Sequence, residues 1–378
     1  MEHIRVESKN LIHPIGILEP KLGVNFNDQL SDLIFQETGL WDIMTDEGLF
    51  QLNVELTSQF IGAAPDLKAD NLAKDHVEKL ILSATEKEGV TKFDLLKHGA
   101  QEFYKVGKDV LGPLWASYVN EALQTAQEDD TYLFAARDAT PMYWVAEAFK
   151  GCQKTDKDLS KVAFVHVDWN RWFMAQKDEM DGSGEPLNFQ TNPMLREFYT
   201  QMGFLNGNMV KIIEPGAWGS AANALKTMLP KQQFELRFMF SHMPQNIYGF
   251  LNDHCPNIDP LYFEIINDTA EAVPKPYIRP TKLIQHNGHI VADLSDKIMD
   301  SPYMRIWSWA VNQGAIDAAI NFDENNFSIL EHVKKVIELS KLSAKGKWTG
   351  VLPKNTPTWS EGEAWVANWQ HGKIPPLK

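Results

Sequence analysis

The sequence predicts an α/β protein built on a parallel sheet. Two observations support this prediction: apolar runs alternate with helical stretches, and a polar turn follows each run. Between about residues 130 and 255, short continuous apolar runs alternate with helical stretches, and each run is followed by a polar turn. Apolar runs of strand length are typical of parallel strands that are buried on both faces. The chain has 378 residues, of which 44% are hydrophobic, so it is long enough for one elaborated domain or for two domains.

Three apolar runs predict the strands of this sheet, and helical segments precede and follow it. The runs are residues 132–136, 162–167 and 209–213. Before them, apolar positions recur at three- and four-residue steps in residues 66–82, which is the helical period. Residues 303–342 return to the same period. We therefore predict three regions: a helical N-terminal region at 1–100, an α/β domain at 101–300, and a C-terminal region at 301–378.

Turn signals refine this organisation. Asn287-Gly288 lies between two apolar runs and predicts a tight hairpin, because both residues tolerate positive φ. The stretch from Asp178 to Pro193 is rich in Gly, Ser, Asp and Pro, so it is predicted to be an irregular loop, and a lid that closes over the site is one interpretation of it. The chain beyond Lys345 predicts an extended arm that carries four tryptophans: Trp348, Trp359, Trp365 and Trp369.

Charge and composition exclude several classes of function. The 50 acidic residues outnumber the 36 basic ones, and a net charge of −14 repels the phosphate backbone, which disfavours general nucleic-acid binding. No apolar run reaches the ~18 residues that span a bilayer, and the first residues lack the features of a signal peptide. We therefore expect a cytoplasmic protein without a membrane span; a homodimer is compatible with the sequence. Cys152 and Cys255 have neither the spacing of a zinc site nor the density of a disulfide framework.

The first candidate site follows the first predicted strand. Arg137 and Asp138 come directly after the apolar run, and Thr140-Pro141 has the residue types of a helix N-cap and first helical position. The start of a helix beyond a strand is an anion-binding geometry, and an arginine adds a charged fork that suits phosphate. We expect all three polar residues in a ligand site. The alternative is that Arg137 and Asp138 pair with each other or with neighbours and only cap the sheet.

A second turn of the same kind follows the third predicted strand. Glu214 ends the apolar run, and it is followed by Gly216, Gly219 and Ser220 before a helical stretch. The glycines allow the backbone to approach a ligand, the serine can cap the helix, and the carboxylate can hold sugar hydroxyls or a magnesium ion. A tight strand-to-helix connection without a ligand is the alternative interpretation.

Asp168 and Arg171 follow the second predicted strand and are candidates to line the same cleft. The alternative is a surface turn anchored by Trp169 and Trp172. No residues are predicted to form a resident metal site of their own: His286 and His289 flank the hairpin turn without a third ligand, so we interpret them as structural.

Several common motifs are missing from the sequence. Gly107 and Gly112 have the spacing of a phosphate-binding P-loop, but Pro113 stands where its lysine belongs. No strand is followed by the glycine fingerprint of dinucleotide-binding domains, and the nucleophile elbow of α/β-hydrolases does not occur.

The residues from about 100 to 290 resemble a bacterial domain found after haloacid-dehalogenase-like domains in surface-polysaccharide proteins. The resemblance rests on six segments: Gly107 to Leu114, the Ala-Arg-Asp turn at Ala136 to Asp138, Trp169 to Arg171, Gln201 to Phe204, the turn from Glu214 to Ser220, and Leu261 to Glu264. Ala139 stands where that domain has glycine after Arg-Asp, and Glu214 stands where it has aspartate.

The same order of parts is similar, more distantly, to the phosphoribosyltransferases, whose fold is Rossmann-like. The resemblance implies that Arg137 to Thr140 binds pyrophosphate and that Glu214 to Ser220 binds ribose and its 5-phosphate. In this role Glu214 orients ribose hydroxyls or a magnesium ion, so magnesium is a possible cofactor.

Three functional hypotheses follow. The first is an enzyme that acts on a phosphorylated sugar or nucleotide by glycosyl transfer or cleavage at an anomeric carbon, with Arg137, Asp138 and Glu214 as catalytic residues. The second is a non-catalytic module that binds a nucleotide or sugar phosphate in surface-polysaccharide assembly or regulation. The third is an enzyme of different chemistry that uses Asp138 or Glu214 as a general base.

Overall fold

The core of the molecule is a five-stranded sheet in which every pairing is parallel. The computed structural model describes residues 18–38, 92–125, 131–135, 138–152, 162–165, 193–201, 209–216, 231–241, 248–259, 262–263, 266, 270, 283–286, 288–292 and 302–344. The strands are β1 (Thr131–Ala135), β2 (Val162–Val165), β3 (Val210–Glu214), β4 (Phe234–Phe238) and β5 (Tyr248–Gly249). Their order in the sheet is β2-β1-β3-β4-β5. The predicted α/β class agrees with this arrangement, and the three predicted apolar runs coincide with β1, β2 and β3, with bounds that differ by one or two residues.

The central pair of strands, β1 and β3, is mostly apolar because side chains on both of its faces are buried. Phe134 and Ile213 pair on one face, and Leu133 and Ile212 pair on the other. All four side chains are at most 1% exposed. Burial of such side chains on both faces is the physical reason that these segments lack the alternation of a half-exposed strand.

Helices surround a central helix, α7, in the described part of the chain. The helices are α1 (Phe26–Thr38), α2 (Lys92–Lys105), a π-helical segment (Val106–Leu111), α3 (Gly112–Gln124), α4 (Thr140–Gly151), α5 (Pro193–Gln201), α6 (Phe250–His254), α7 (Pro302–Asn321) and α8 (Ile329–Ala344). Helix α7 packs against α1, α2, the π segment, α3 and α4. The helical period predicted for residues 303–342 is confirmed for α7 and α8, which are separated by a non-helical turn at residues 322–328.

The segment before α1 is tied to α7 by a buried amide. The side chain of Gln313 is fully buried; its Nε2 donates to the Lys21 carbonyl at 2.8 Å, and its Oε1 accepts from the Lys21 amide at 2.8 Å. Phe26 stacks on Tyr104 of α2 with 3.9 Å between ring centroids. These contacts join segments from opposite ends of the sequence into one hydrophobic core.

A separate two-stranded hairpin confirms the turn predicted at Asn287-Gly288. Strands β6 (Leu283–His286) and β7 (His289–Ala292) pair antiparallel, and Gly288 has a φ of 81°. His286 and His289 lie opposite each other at the end of the ladder. Within the described residues, no cluster of three or more His, Cys, Asp or Glu side chains is arranged to hold a metal ion.

Several predicted features lie outside the described residues. They are the helical signal of residues 66–82, the loop of residues 178–192 and the tryptophan-bearing arm beyond residue 345. The region boundaries at residues 100 and 300 stay predictions; α2 runs across the first of them. None of the helices in the described ranges is long and apolar enough to cross a membrane.

Candidate functional site

The strand order reverses direction between β1 and β3. From β1, the chain continues to β2 on one side of it, whereas β3, β4 and β5 follow one another on the other side. In open parallel sheets, ligands bind outside the carboxyl ends of the strands at such a reversal. The expected crevice therefore lies beyond Ala135, the last residue of β1, and Glu214, the last residue of β3.

The turn after β1 is closed by backbone hydrogen bonds. The Ala139 amide donates to the Ala135 carbonyl at 3.0 Å, and the Tyr143 amide donates to the Ala139 carbonyl at 2.9 Å. Within this turn, Asp138 is half-buried and Thr140 is 7% exposed. Asp138 and Ala139 therefore lead directly into α4, which begins at Thr140.

The prediction that Thr140 is the N-cap of this helix is wrong. Helix α4 begins at Thr140, and Ala139 holds the N-cap position without a side-chain hydrogen bond to the helix. The reason is that the helical bond pattern already begins with the Ala139 carbonyl, which accepts from the Tyr143 amide. Pro141 still lies in the first turn, where its missing N–H costs nothing.

The turn after β3 is held against the chain that leaves β4. The Glu214 carbonyl accepts from the Met239 amide at 3.0 Å, and the Pro215 carbonyl accepts from the Phe240 amide at 3.4 Å. Gly216 has a φ of 152°, and a Cβ at this position would lie 2.9 Å from the Phe240 carbonyl oxygen. Only glycine fits this backbone without strain, so the turn is built for close backbone approach.

The two turns leave neighbouring strands at the same level of the sheet. Phe134 pairs with Ile213, so the next residues, Ala135 and Glu214, both mark the carboxyl edge. Asp138 and Thr140 follow one strand end, and Glu214 and Gly216 belong to the other. The other candidate residues lie outside the described part of the chain and stay predictions: Arg137, Asp168, Arg171, Gly219 and Ser220.

Tyr118 of α3 is a contributor to this edge that the sequence did not indicate. Its hydroxyl donates to the Arg237 carbonyl at 2.5 Å, and the residue is 1% exposed. Burial raises the pKa of Tyr118 well above its usual value; Arg237 opposes this rise, and the Glu214 carboxylate adds to it. The hydroxyl therefore remains a protonated donor, next to the last residues of β3 and β4.

A second polar cluster joins α3 to the edge strand β5. The Tyr248 hydroxyl and the His254 ring both bind the carboxylate of Glu121, the latter with 2.5 Å between Nε2 and Oε2. Burial, and then the bond to Glu121, raises the pKa of Tyr248. The cluster fixes β5 and α6 to α3.

A buried lysine lies near the opposite, amino-terminal end of the sheet. The side chain of Lys211 is 5% exposed; its Nζ donates to the Thr125 carbonyl at 3.1 Å and lies 3.7 Å from Glu235 Oε2. A cation at the carbonyl end of a helix is favoured by the helix dipole. Tyr118 therefore contacts the carboxyl edge and Thr125 the amino end, so α3 runs antiparallel to β3 with its first residue on the side of the candidate site.

A scan of protein-family models gives no match to this chain, and a search of curated proteins finds none that is similar in sequence.

Proposed function

We propose that this protein is an enzyme that acts on a phosphorylated sugar or nucleotide, by phosphoribosyl-type transfer or cleavage at an anomeric carbon. One observation carries the proposal: the strand order reverses between β1 and β3, the two strands that lead into the candidate turns. A ligand in the crevice between them contacts residues of both turns. The fold proposed with it is that of the phosphoribosyltransferases.

The turn after β1 is assigned to the leaving phosphate. Helix α4 begins there, and the positive end of its dipole favours an anion. Arg137 supplies the charge that neutralises the leaving group, and Asp138 and Thr140 supply polar contacts. This assignment accounts for three polar residues in a turn that is otherwise tightly closed.

The turn after β3 is assigned to the sugar. Glu214 binds the ribose hydroxyls or a magnesium ion, and Gly216, Gly219 and Ser220 receive the terminal phosphate. Magnesium is usually held by one or two carboxylates together with substrate oxygens, and the half-buried carboxylate of Glu214 suits this mode of binding. When bound, the ion neutralises phosphate charge. Asp168 and Arg171 are proposed to line the same cleft.

The proposed reaction breaks the bond between the anomeric carbon and the oxygen of the leaving pyrophosphate. The electron pair of that bond stays with the pyrophosphate, and the carbon passes through an oxocarbenium-like state that nearby negative charge stabilises. An acceptor, or water in the case of cleavage, then forms the new bond to the carbon and loses a proton. Asp138 and Glu214 are the carboxylates proposed to act on this state.

The experiment uses the full chain with phosphoribosyl pyrophosphate and MgCl₂. Phosphorus NMR follows release of pyrophosphate, and titration calorimetry measures binding. We expect binding and consumption by the parent chain. An Arg137→Ala variant loses a charged hydrogen bond, so its affinity should fall by about 1.5–3 kcal/mol.

The matched control for Arg137→Ala is Arg196→Ala, because Arg196 is exposed on α5, a helix that contacts the hairpin. This control should bind as the parent does. Binding without consumption supports the non-catalytic module instead. No binding by the parent, or equal binding by Arg137→Ala, contradicts the proposal.

A further inference from the structure

We propose that Tyr118 is a positioning residue, which sets the end of β3 and thereby holds Glu214 at the sugar side of the site. The inference rests on the proposed function, because it assigns to Tyr118 an effect on one of the two halves of that site. It places the control of sugar binding in α3, a helix that contributes no residue to the predicted set of ligand contacts.

The contact lies at the last pairs of the β3–β4 ladder. Ile213 pairs with Arg237, and Glu214 pairs with Phe238. The Tyr118 hydroxyl donates to the Arg237 carbonyl at 2.5 Å, so it acts within one residue of Glu214 along the ladder. The next backbone bond, from the Met239 amide to the Glu214 carbonyl, holds the far side of the same residue. Tyr118 therefore fixes the β4 residue that pairs beside Glu214, and the Met239 amide fixes Glu214 itself to the chain that leaves β4.

The environment of the hydroxyl keeps this contact in place. Tyr118 is 1% exposed, and its ring packs against Phe250 with 5.3 Å between centroids. The electrostatic partners of the hydroxyl include both the backbone and the carboxylate of Glu214, which shift its pKa in opposite directions.

Helix α3 is itself anchored, so the contact is rigid. One turn after Tyr118, Glu121 binds Tyr248 of β5 and His254 of α6. A functional group is positioned most precisely when its supporting residue lies on a fixed element. The turn after β1, in contrast, is closed by bonds from the Ala139 and Tyr143 amides, to which Tyr118 contributes no atom.

Because Tyr118 contacts the chain beside only one of the two turns, its substitution should affect the affinities for two ligands differently. A Tyr118→Phe variant keeps the ring and loses only the hydroxyl. Its affinity for phosphoribosyl pyrophosphate with magnesium should fall about threefold to tenfold, because Glu214 is then held less precisely; this change is of the size of one neutral hydrogen bond. Its affinity for inorganic pyrophosphate, which is assigned to the turn after β1, should change by less than about twofold, within the usual effect of a substitution far from the site.

The matched control is Tyr104→Phe. Tyr104 also donates a 2.5 Å hydrogen bond, to Asp317 Oδ2, but it lies between α2 and α7. This variant should bind both compounds as the parent does. A purely structural role of Tyr118 would lower thermal stability and change the two affinities alike, so the ratio of affinities separates positioning from packing.

Titration calorimetry on the full chain decides the proposal. Equal affinity of parent and Tyr118→Phe for phosphoribosyl pyrophosphate, or equal loss for both compounds, overturns the role of Tyr118 and leaves the proposed function intact. A parent chain that binds neither compound overturns both.

Amide hydrogen exchange of the Tyr118→Phe variant without ligand gives a second measurement. It can be made even if the variant is less stable than the parent, provided that the variant folds. Exchange should be faster in residues 209–216 and unchanged in 138–143. Faster exchange spread evenly over both segments contradicts the proposal.

Discussion

At the scale of single residues, Gly216 determines the shape of the turn that follows β3. Its φ of 152° and its contact with Phe240 mean that an alanine meets both backbone strain and a carbonyl oxygen at 2.9 Å. Gly288 offers a matched comparison, because its φ is 81° but a Cβ there has no heavy atom within 4 Å. The two glycines thus separate the effect of backbone conformation from that of close packing.

We predict that Gly216→Ala lowers the free energy of unfolding by about 3 kcal/mol, since strain and overpacking add. Gly288→Ala should lower it by about 1 kcal/mol, the cost of a left-handed residue with a side chain. Urea denaturation measures both variants. Equal losses in the two variants would show that Phe240 does not restrict the turn.

Residue-scale features were only partly predictable from sequence. The polar residues after β1 and β3 were recognisable because they directly follow apolar runs. Tyr118 was not recognisable, because the carbonyl it binds lies 119 residues further along the chain. The predicted position of the N-cap was wrong by one residue. A threonine before proline has the residue type of an N-cap, but the first helical hydrogen bond is accepted by the Ala139 carbonyl.

At the scale of elements, α8 is joined to the π segment by one histidine. Nε2 of His332 lies 2.8 Å from the Val110 carbonyl, and burial lowers the pKa of His332 below 6.5. The negative charge of Asp109 raises the pKa of His332, whereas the positive charge of Lys335 lowers it further. The neutral ring is therefore the form that the folded protein prefers.

We predict that this preference makes stability depend on pH. Because the folded-state pKa lies below the unfolded value, the contribution of His332 is complete above pH 6.5. It is lost as the pH falls from there through the lowered folded-state pKa. His332→Gln keeps an N–H donor and should flatten this part of the profile. Urea denaturation between pH 7.5 and 5 checks this; parallel profiles for parent and variant would refute it.

The strands differ in how well sequence patterns reveal them. β1, β2 and β3 are continuous apolar runs, and they were predicted for that reason. β4 alternates Phe234, Leu236 and Phe238 with charged residues, so a search for continuous runs misses it. β5 has two residues, too few for any period to be visible.

At the scale of the whole molecule, the order of the strands determines where a ligand site is expected. Apolar runs identify strands, but their order depends on pairings between segments far apart in sequence. The sequence led to two turns with ligand-binding chemistry, and the structure adds that β1 and β3 are direct neighbours at the point of reversal. The central claim is that a sugar phosphate binds at this point.

Amide hydrogen exchange with and without phosphoribosyl pyrophosphate and MgCl₂ tests this claim most directly, because it reports where a ligand contacts the full chain. The account predicts slower exchange in residues 138–143, after β1, and in residues 209–216, which comprise β3 and the start of the turn after it. Exchange should not change in the hairpin at residues 283–292 or in α8. Protection confined to the hairpin and α8 would contradict the account. So would the absence of protection at every segment at saturating ligand.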